Sequence, residues 1–416
     1  MTQHDQTDRA LGMRHISDQA THRGKEMPAI NARRCSIEEP GDVNDMNRIR
    51  VLVEDDLAHV ATLFSKVHQE RNRSSPQSIQ TYFREILFLN PWYDADLQSW
   101  VYEDDGKIAG VMAIIPRRMS FGGLTLRVAV GCQLFLDLDQ RSGLPALQLL
   151  QKLMKGPQDI SITDGASRVV RKIWHRLGGE TLPVYSLHWV KPLRPARTTL
   201  ALYSRHRSGE SEKIMPSRRI LYLGALVCDL IDLAIAPLVP RPEQPPSELK
   251  ADELDAPTLL SCLSEFTTHY LLRPECNLRE VEWLLDQAAK KKRYGPLQKV
   301  LVRRAGNKIV GWYLYYLNTS GLSEVLQIGA REDSIDDVLD HLFDHARRRG
   351  AAALHGRTEP RFVHALSDRY CIFHGRASNT LFHARNPAVK AALLAGDGFL
   401  TRLEGDWGLR FTGEQL

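Results

Sequence analysis

The chain has 416 residues, 43 % hydrophobic and 25 % charged. At about 150 residues per domain this predicts two or three globular domains, and it excludes a disordered chain, a collagen-like fibre and a polytopic membrane protein. Six cysteines with no CxxC pair exclude a disulfide-stapled scaffold and a zinc ribbon, and suit reduced thiols in the cytoplasm. The net charge of +5 is local: eight basic residues between Lys191 and Arg219 face only Glu210 and Glu212, so this stretch carries +6 and the rest −1. That pattern does not suit a sequence-specific nucleic-acid surface.

Residues 1–47 lack Phe, Trp and Tyr and hold eight acidic residues, which reads as a disordered tail without the apolar core of a secretory signal. Residues 48–53 read as a short strand. Leu57, Val60, Leu63, Phe64 and Val67 then recur at helical spacing behind Glu54-Asp55-Asp56. A helix is predicted over 76–89, and a hairpin over 100–115 around Asp104-Asp105-Gly106. A second strand pair turns at Gly122-Gly123, and 128–136 reads as a central strand. Helix 143–154 carries Leu144, Leu147, Leu150 and Leu153 on one face. Strand 160–163, helix 166–177 and strand 185–190 complete a domain at 48–195.

The connector, 196–250, is basic, then apolar, then proline-rich. In 220–240, eleven Leu, Ile and Val residues at about −0.5 kcal/mol each favour membrane insertion, and Asp229 and Asp232 at about +3 each cancel them. The segment reads as a buried or interface helix. Beside its basic flank, 191–240 also suits weak contact with an anionic membrane surface.

The last domain, 251–416, opens with helices at 258–270 and 280–289. A hairpin at 299–317, a strand at 323–330, an amphipathic helix at 334–349 and a strand at 352–354 follow. Asp105-Gly106-Lys107-Ile108-Ala109-Gly110-Val111 parallels Gly306-Asn307-Lys308-Ile309-Val310-Gly311-Trp312. With the same order of elements after each turn, this reads as one duplicated domain. The expected class is α/β (α+β), with two mixed, mostly antiparallel sheets flanked by helices.

Between strand 128–136 and helix 143–154 lies Asp137-Leu138-Asp139-Gln140-Arg141-Ser142-Gly143-Leu144-Pro145-Ala146. This junction resembles the Gln/Arg-x-x-Gly-x-Gly/Ala turn of the GNAT acyl-CoA N-acyltransferases. Read from Gln140, Gly143 matches and Pro145 does not; read from Arg141, Ala146 matches and Leu144 replaces the glycine. The second register also aligns Asp137-x-Asp139. Small residues and free N–H groups at a helix start suit a pyrophosphate. The resemblance implies CoA contacts at Phe135, Leu136, Asp137, Arg141, Ser142, Gly143, Leu144 and Ala146. It extends to Ile173-Trp174-His175-Arg176-Leu177-Gly178-Gly179, where Trp174 holds the position of a tyrosine acid. The second copy has Arg331-Glu332-Asp333-Ser334 at the matching turn, and its three carboxyl-rich positions through Asp336 repel a pyrophosphate.

The resemblance implies transfer of an acyl group, most simply acetyl from acetyl-CoA, to a small-molecule or peptide amine. A base must take the amine's proton. Asp164, Tyr185 and His188 follow the central strands where the cleft is expected, with His175 nearby. His341 and His345, at i and i+4, read as a solvated helix face, and no metal is expected. Two alternatives remain: a non-catalytic GNAT-fold scaffold at a membrane surface, and aminoacyl transfer of the Fem type.

Overall fold

Two tight turns set the frame of the fold. Asp105 and Gly106 have φ of 48° and 71°, and Gly306 and Asn307 have 79° and 65°. At Asp105-Gly106, between the paired Asp104 and Lys107, this is the type I′ hairpin; the second turn spans three residues, 305–307, between the paired Arg304 and Lys308, and Gly, Asn and Asp tolerate the left-handed backbone in both. The computed structural model describes residues 48–68, 74–137, 143–207, 227–234, 249–319, 321–375 and 378–411. The expected tail lies outside these residues.

The elements run β1 (Ile49–Val51), α1 (Leu57–Val67), α2 (Pro76–Leu87), β2 (Trp100–Asp104), β3 (Lys107–Phe121), β4 (Leu124–Leu136), α3 (Leu144–Lys155), β5 (Ile160–Ala166), α4 (Arg168–Arg176), β6 (Glu180–Thr181), β7 (His188–Pro192) and α5 (Pro195–Arg207). After a helical stretch at 227–234, α6, come β8 (Lys250–Glu253), α7 (Ala256–Phe266), β9 (Leu272–Pro274), α8 (Leu278–Ala289), β10 (Leu297–Arg304), β11 (Lys308–Tyr316) and β12 (Leu322–Ala330). The chain continues through α9 (Ile335–Arg348), β13 (Ala353–Arg357), α10 (Val363–Asp368), β14 (Ile372–His374), β15 (Asn379–Ala384), α11 (Pro387–Leu394) and α12 (Asp406–Leu409).

The strands form two sheets, mixed and mostly antiparallel. One runs β1-β2-β3-β4-β5-β15-β6, with β9 on β3; the other runs β14-β7-β13-β12-β11-β10-β8. In the first, Phe64, Tyr82, Phe83 and Ile86 of α1 and α2 pack on Val111, Val130 and Phe135. On the opposite face α3 buries Leu149, Leu150, Leu153 and Met154 against Met112, Ile114 and Ala129. Alternation along β3 and β4 supplies both faces.

The two sheets repeat each other residue for residue at their centres. The parallel ladder of β4 on β5 has three pairs and ends at Val130↔Ile162. That of β12 on β13 has three and ends at Glu324↔His355. Two residues further on, each central strand has a β-bulge, at Cys132 and at Leu326, opposite Ala113/Ile114 and Leu314/Tyr315. The duplication read from two hairpins therefore extends through the bulges.

The copies also exchange strands. β7 pairs with β13 of the second sheet, and β15 pairs with β5 of the first. Each is antiparallel to the strand it joins, so each sheet is completed from the other half of the sequence. The predicted strand at 185–190 becomes a 3-10 turn at Val184–Ser186 followed by β7. The strands expected on either side of Pro116 are one fifteen-residue strand, β3. β2 pairing stops at Met112 and β9 pairing starts at Met119. Pro116 thus sits where one edge of β3 has no ladder partner, and its missing N–H costs little.

The connector folds around its two acids. Asp232 accepts hydrogen bonds from Ala196 N (2.7 Å) and Arg197 N (3.0 Å) at the start of α5. Asp229 pairs with Arg197 and, at 3.8 Å, with Arg194. The charges that oppose membrane insertion thus hold α6 to α5 and neutralise part of the basic run. The opposite side of α6 leaves Leu230 68 % and Leu233 73 % exposed, so the expectation of a buried helix holds only for its acidic face. Among the described residues no helix is long and apolar enough to cross a membrane.

Candidate active site

Beyond Val130↔Ile162 the two central strands part. β4 runs on to Leu136 and β5 to Ala166. The bulge at Cys132 bends β4 at the point of divergence. Asp137 N donates to Ala109 O at 2.8 Å, so Asp137 and Phe135 present their backbone to β3. By the two-residue alternation of an antiparallel ladder, Leu134 and Leu136 present theirs to the opening.

The predicted CoA contacts distribute around this opening. The Phe135 side chain lies in the core, its ring 5.3 Å from that of Phe64. The Asp137 carboxylate pairs with Lys66 at 2.7 Å. Gly143 caps α3 without a side-chain hydrogen bond, so the N–H groups of Leu144 and Ala146 head the helix, with Pro145 between them contributing none. Arg141 and Ser142 lie outside the described residues.

The predicted bases are all engaged. Asp164 lines the cleft, but one oxygen pairs with Arg357 and the other accepts from Trp407 N at 3.0 Å. Tyr185 donates to Gly398 O at 2.6 Å and accepts from Gly398 N at 3.2 Å, and burial raises its pKa. His188 accepts from Arg402 Nη2 at 2.8 Å on Nδ1 and stacks 5.3 Å from His355. Burial, then Arg402, pushes His188 down to about 2, so it stays neutral. His175 bonds Thr181 Oγ1 at 2.7 Å. Trp174 donates to Phe382 O at 2.9 Å and serves packing. These side chains bind the exchanged strands and the final loop together.

The face of the sheet opposite α3 carries a cleft of about 60 Å³ between β3, β4, β5 and the segment Phe399–Asp406. At its mouth α12 packs across both parted strands. A Cβ on Gly165 would collide with Asp406 Oδ2 and Arg410, so glycine lets that carboxylate close on β5. Asp406 is 2 % exposed; Oδ2 accepts from Arg410 at 2.7 Å and Oδ1 has no hydrogen-bond partner. Burial pushes its carboxyl up to about 6, Arg410 opposes the rise and Asp164 adds to it. Lys291, 1 % exposed, holds the end of α12 by donating to Arg410 O at 2.6 Å. Its own pKa falls to about 7 through burial and then Arg410. Asp406 carried no signal in the sequence, because about 240 residues separate it from β5 and only the fold joins them.

No family model and no curated protein matches the sequence. Solved structures do. A probable N-acyltransferase from Enterococcus faecalis V583 aligns over 81 % of this chain and 72 % of its own, at 9 % identity and TM-score 0.51. A GCN5-related N-acetyltransferase from Anabaena variabilis ATCC 29413 aligns over 82 % and 73 %, at 11 % identity and TM-score 0.53. The chain has the GNAT fold. At such identities the likeness is one of fold alone.

The second GNAT sheet uses its matching opening differently. Beyond Glu324, Arg402 fills the space, donating to Glu324 at 2.8 Å and to His188. At the start of α9, Arg331 pairs with Glu265 and lies 4.4 Å over the Phe266 ring. His341 and His345 are not a solvated face: they bond Tyr313 and Tyr315 of β11 at 2.9 and 3.1 Å. Burial lowers both, His345 to about 4. Among the described residues no cluster of three or more His, Cys, Asp or Glu is arranged for a metal.

Proposed function

We propose that the protein is an acyl-CoA-dependent N-acyltransferase, most simply an acetyltransferase, with its working site in the first sheet. The observation that carries this reading is the parted β4–β5 pair with a buried, half-paired carboxylate at its mouth. The residues fit acyl-CoA: the N–H groups of Leu144 and Ala146 head α3, and the backbone of Leu134 and Leu136 faces the opening. When bound, CoA would supply the acyl group as a thioester open to direct attack by an amine. Asp406 Oδ1 would take the proton the amine sheds, since a carboxyl near pKa 6 is ionised at neutral pH yet basic enough to accept it. The leaving thiolate has no acid in Trp174, whose N–H is held by Phe382 O. The small-molecule or peptide amine would enter through the cleft on the face opposite α3.

Calorimetry with acetyl-CoA and with CoA, followed by thiol release in the presence of amines, tests the reading. Binding and amine-dependent release are expected; no CoA binding at millimolar ligand refutes it. A non-catalytic role at a membrane surface is the second reading, favoured by the outward Leu230 and Leu233 of α6 beside the basic run. It predicts co-sedimentation with anionic vesicles that Leu230→Ser/Leu233→Ser abolishes.

A further inference from the structure

Arg117 is the unexplained charge of this molecule. It lies on β3, 6 % exposed, and lines the cleft. Its Nη1 donates to Pro116 O at 3.2 Å, while Nε and Nη2 have no hydrogen-bond partner. Its guanidinium stacks 3.8 Å from the Trp92 ring, with Trp283 at 5.8 Å, which fixes the plane, and the edge atoms Nε and Nη2 are buried. Among the described residues it forms no ion pair; the carboxylates whose charge reaches it, Glu404 and Glu280, do so without a hydrogen bond. A buried cation normally has a counter-ion, because its desolvation is otherwise uncompensated. A flat fork with Nε and Nη2 unused matches the two oxygens of a carboxylate.

The open surface of the cleft is mostly apolar, from Val128, Val130, Ile162 and Phe399, while Asp164, Arg357 and Glu404 also line it. Arg117 is level with Val128 on β4 and so with Ile160 on β5, whereas Asp406 closes on Gly165. Five residues of strand put these levels no more than roughly 16 Å apart, less the reach of the arginine. The cleft therefore has a cationic fork and an anionic oxygen at separated positions with an apolar stretch between.

We propose that the acceptor carries a carboxylate and an amine at opposite ends of an apolar body, with Arg117 holding the carboxylate while the amine meets Asp406. This rests on the acyltransferase reading for the amine's fate, and on Arg117 alone for the carboxylate. An ω-amino acid is the simplest such molecule, and comparison with an α-amino acid tests the spacing.

The test compares 8-aminooctanoate, n-octylamine and L-norleucine as acceptors with acetyl-CoA. Wild type should prefer 8-aminooctanoate over octylamine by roughly 10- to 100-fold in kcat/KM, the range of a charged hydrogen-bonded pair. Arg117→Met should bring that ratio to about one through KM, and Arg117→Lys should recover part of it. Arg117→Met replaces a buried charge by an apolar chain of similar length, and its thermal unfolding reports whether it folds. An unchanged ratio in folded Arg117→Met, or a wild-type preference for octylamine or norleucine, overturns the proposal. If wild type acylates no amine, octanoate binding by calorimetry still decides the anion site: binding lost in Arg117→Met supports it, and equal or absent binding overturns it.

Discussion

Asp406→Asn separates two consequences of burying a carboxylate at the mouth of the cleft. Burial lifts this carboxyl from 3.8 to about 6, with Arg410 and Lys291 opposing the rise and Asp164 on β5 adding to it. At about 1.36 kcal/mol per unit, the ionised form costs the folded state about 3 kcal/mol. A folded pKa above the unfolded one means the native state holds its proton more tightly. The penalty is therefore absent below pH 3.8, grows from there through pH 6, and is complete above it. A neutral isostere removes it, and the Arg410 side chain, 40 % exposed, rehydrates. Stability at pH 7.5 should rise by up to about 3 kcal/mol, a Tm gain of about 4 °C for the unit Met46–Leu416, with no change at pH 3.5. Acyl transfer should fall roughly 10²- to 10⁴-fold, and the acid limb of kcat/KM near pH 6 should vanish. Thermal scans at both pH values and thiol release from pH 5 to 9 read these outcomes. A variant that keeps its rate and its acid limb, or loses stability at pH 7.5, would refute the reasoning.

Further predictions concern the join between the halves. Fragments 1–215 and 216–416 should not fold singly, since each sheet then lacks a strand, but co-expressed they should purify as a 1:1 complex; a monodisperse, cooperatively unfolding single fragment would sink the strand-exchange argument. Trp174→Phe should cost about 1–3 kcal/mol in urea unfolding by orphaning Phe382 O, with acyl transfer retained; a large drop in kcat would instead give Trp174 a chemical role. Arg402→Met should cost about 3–5 kcal/mol by removing the buried cation from Glu324, which His355 also bonds, and adding Glu324→Gln should restore part of it; simple additivity of the two changes would show that they do not interact.

Local rules carried much of the fold. The hairpin turns at Asp105-Gly106 and Gly306-Asn307, the apolar faces of α1, α3 and α9, and the junction before α3 are all written in adjacent residues, where periodicity and turn chemistry act. They sufficed to mark the strand–helix junction before α3 as the candidate cofactor site. The chemistry inside it was less legible. Asp164, Tyr185 and His188 were sought because they follow the central strands; in the structure Asp164 bonds Arg357 and Trp407 N, Tyr185 bonds Gly398 and His188 bonds Arg402. The groups left with unused atoms, Arg117 and Asp406, stand in stretches without any motif.

The reason is that availability is a property of surroundings. A carboxylate becomes a base when burial raises it and one oxygen lacks a partner, and both conditions come from contacts across about 240 residues. The same holds for the exchange of β7 and β15. Residues 188–192 read as a strand from their own pattern, but which sheet they join depends on which edge lies open after the halves pack. The sequence by itself determined two repeats of one fold, their hairpins, helices and central strands, because these follow from near neighbours. Only the tertiary structure decided that each repeat completes the other, and that the end of the chain closes over the first sheet with the one half-paired carboxylate among the cleft's described residues.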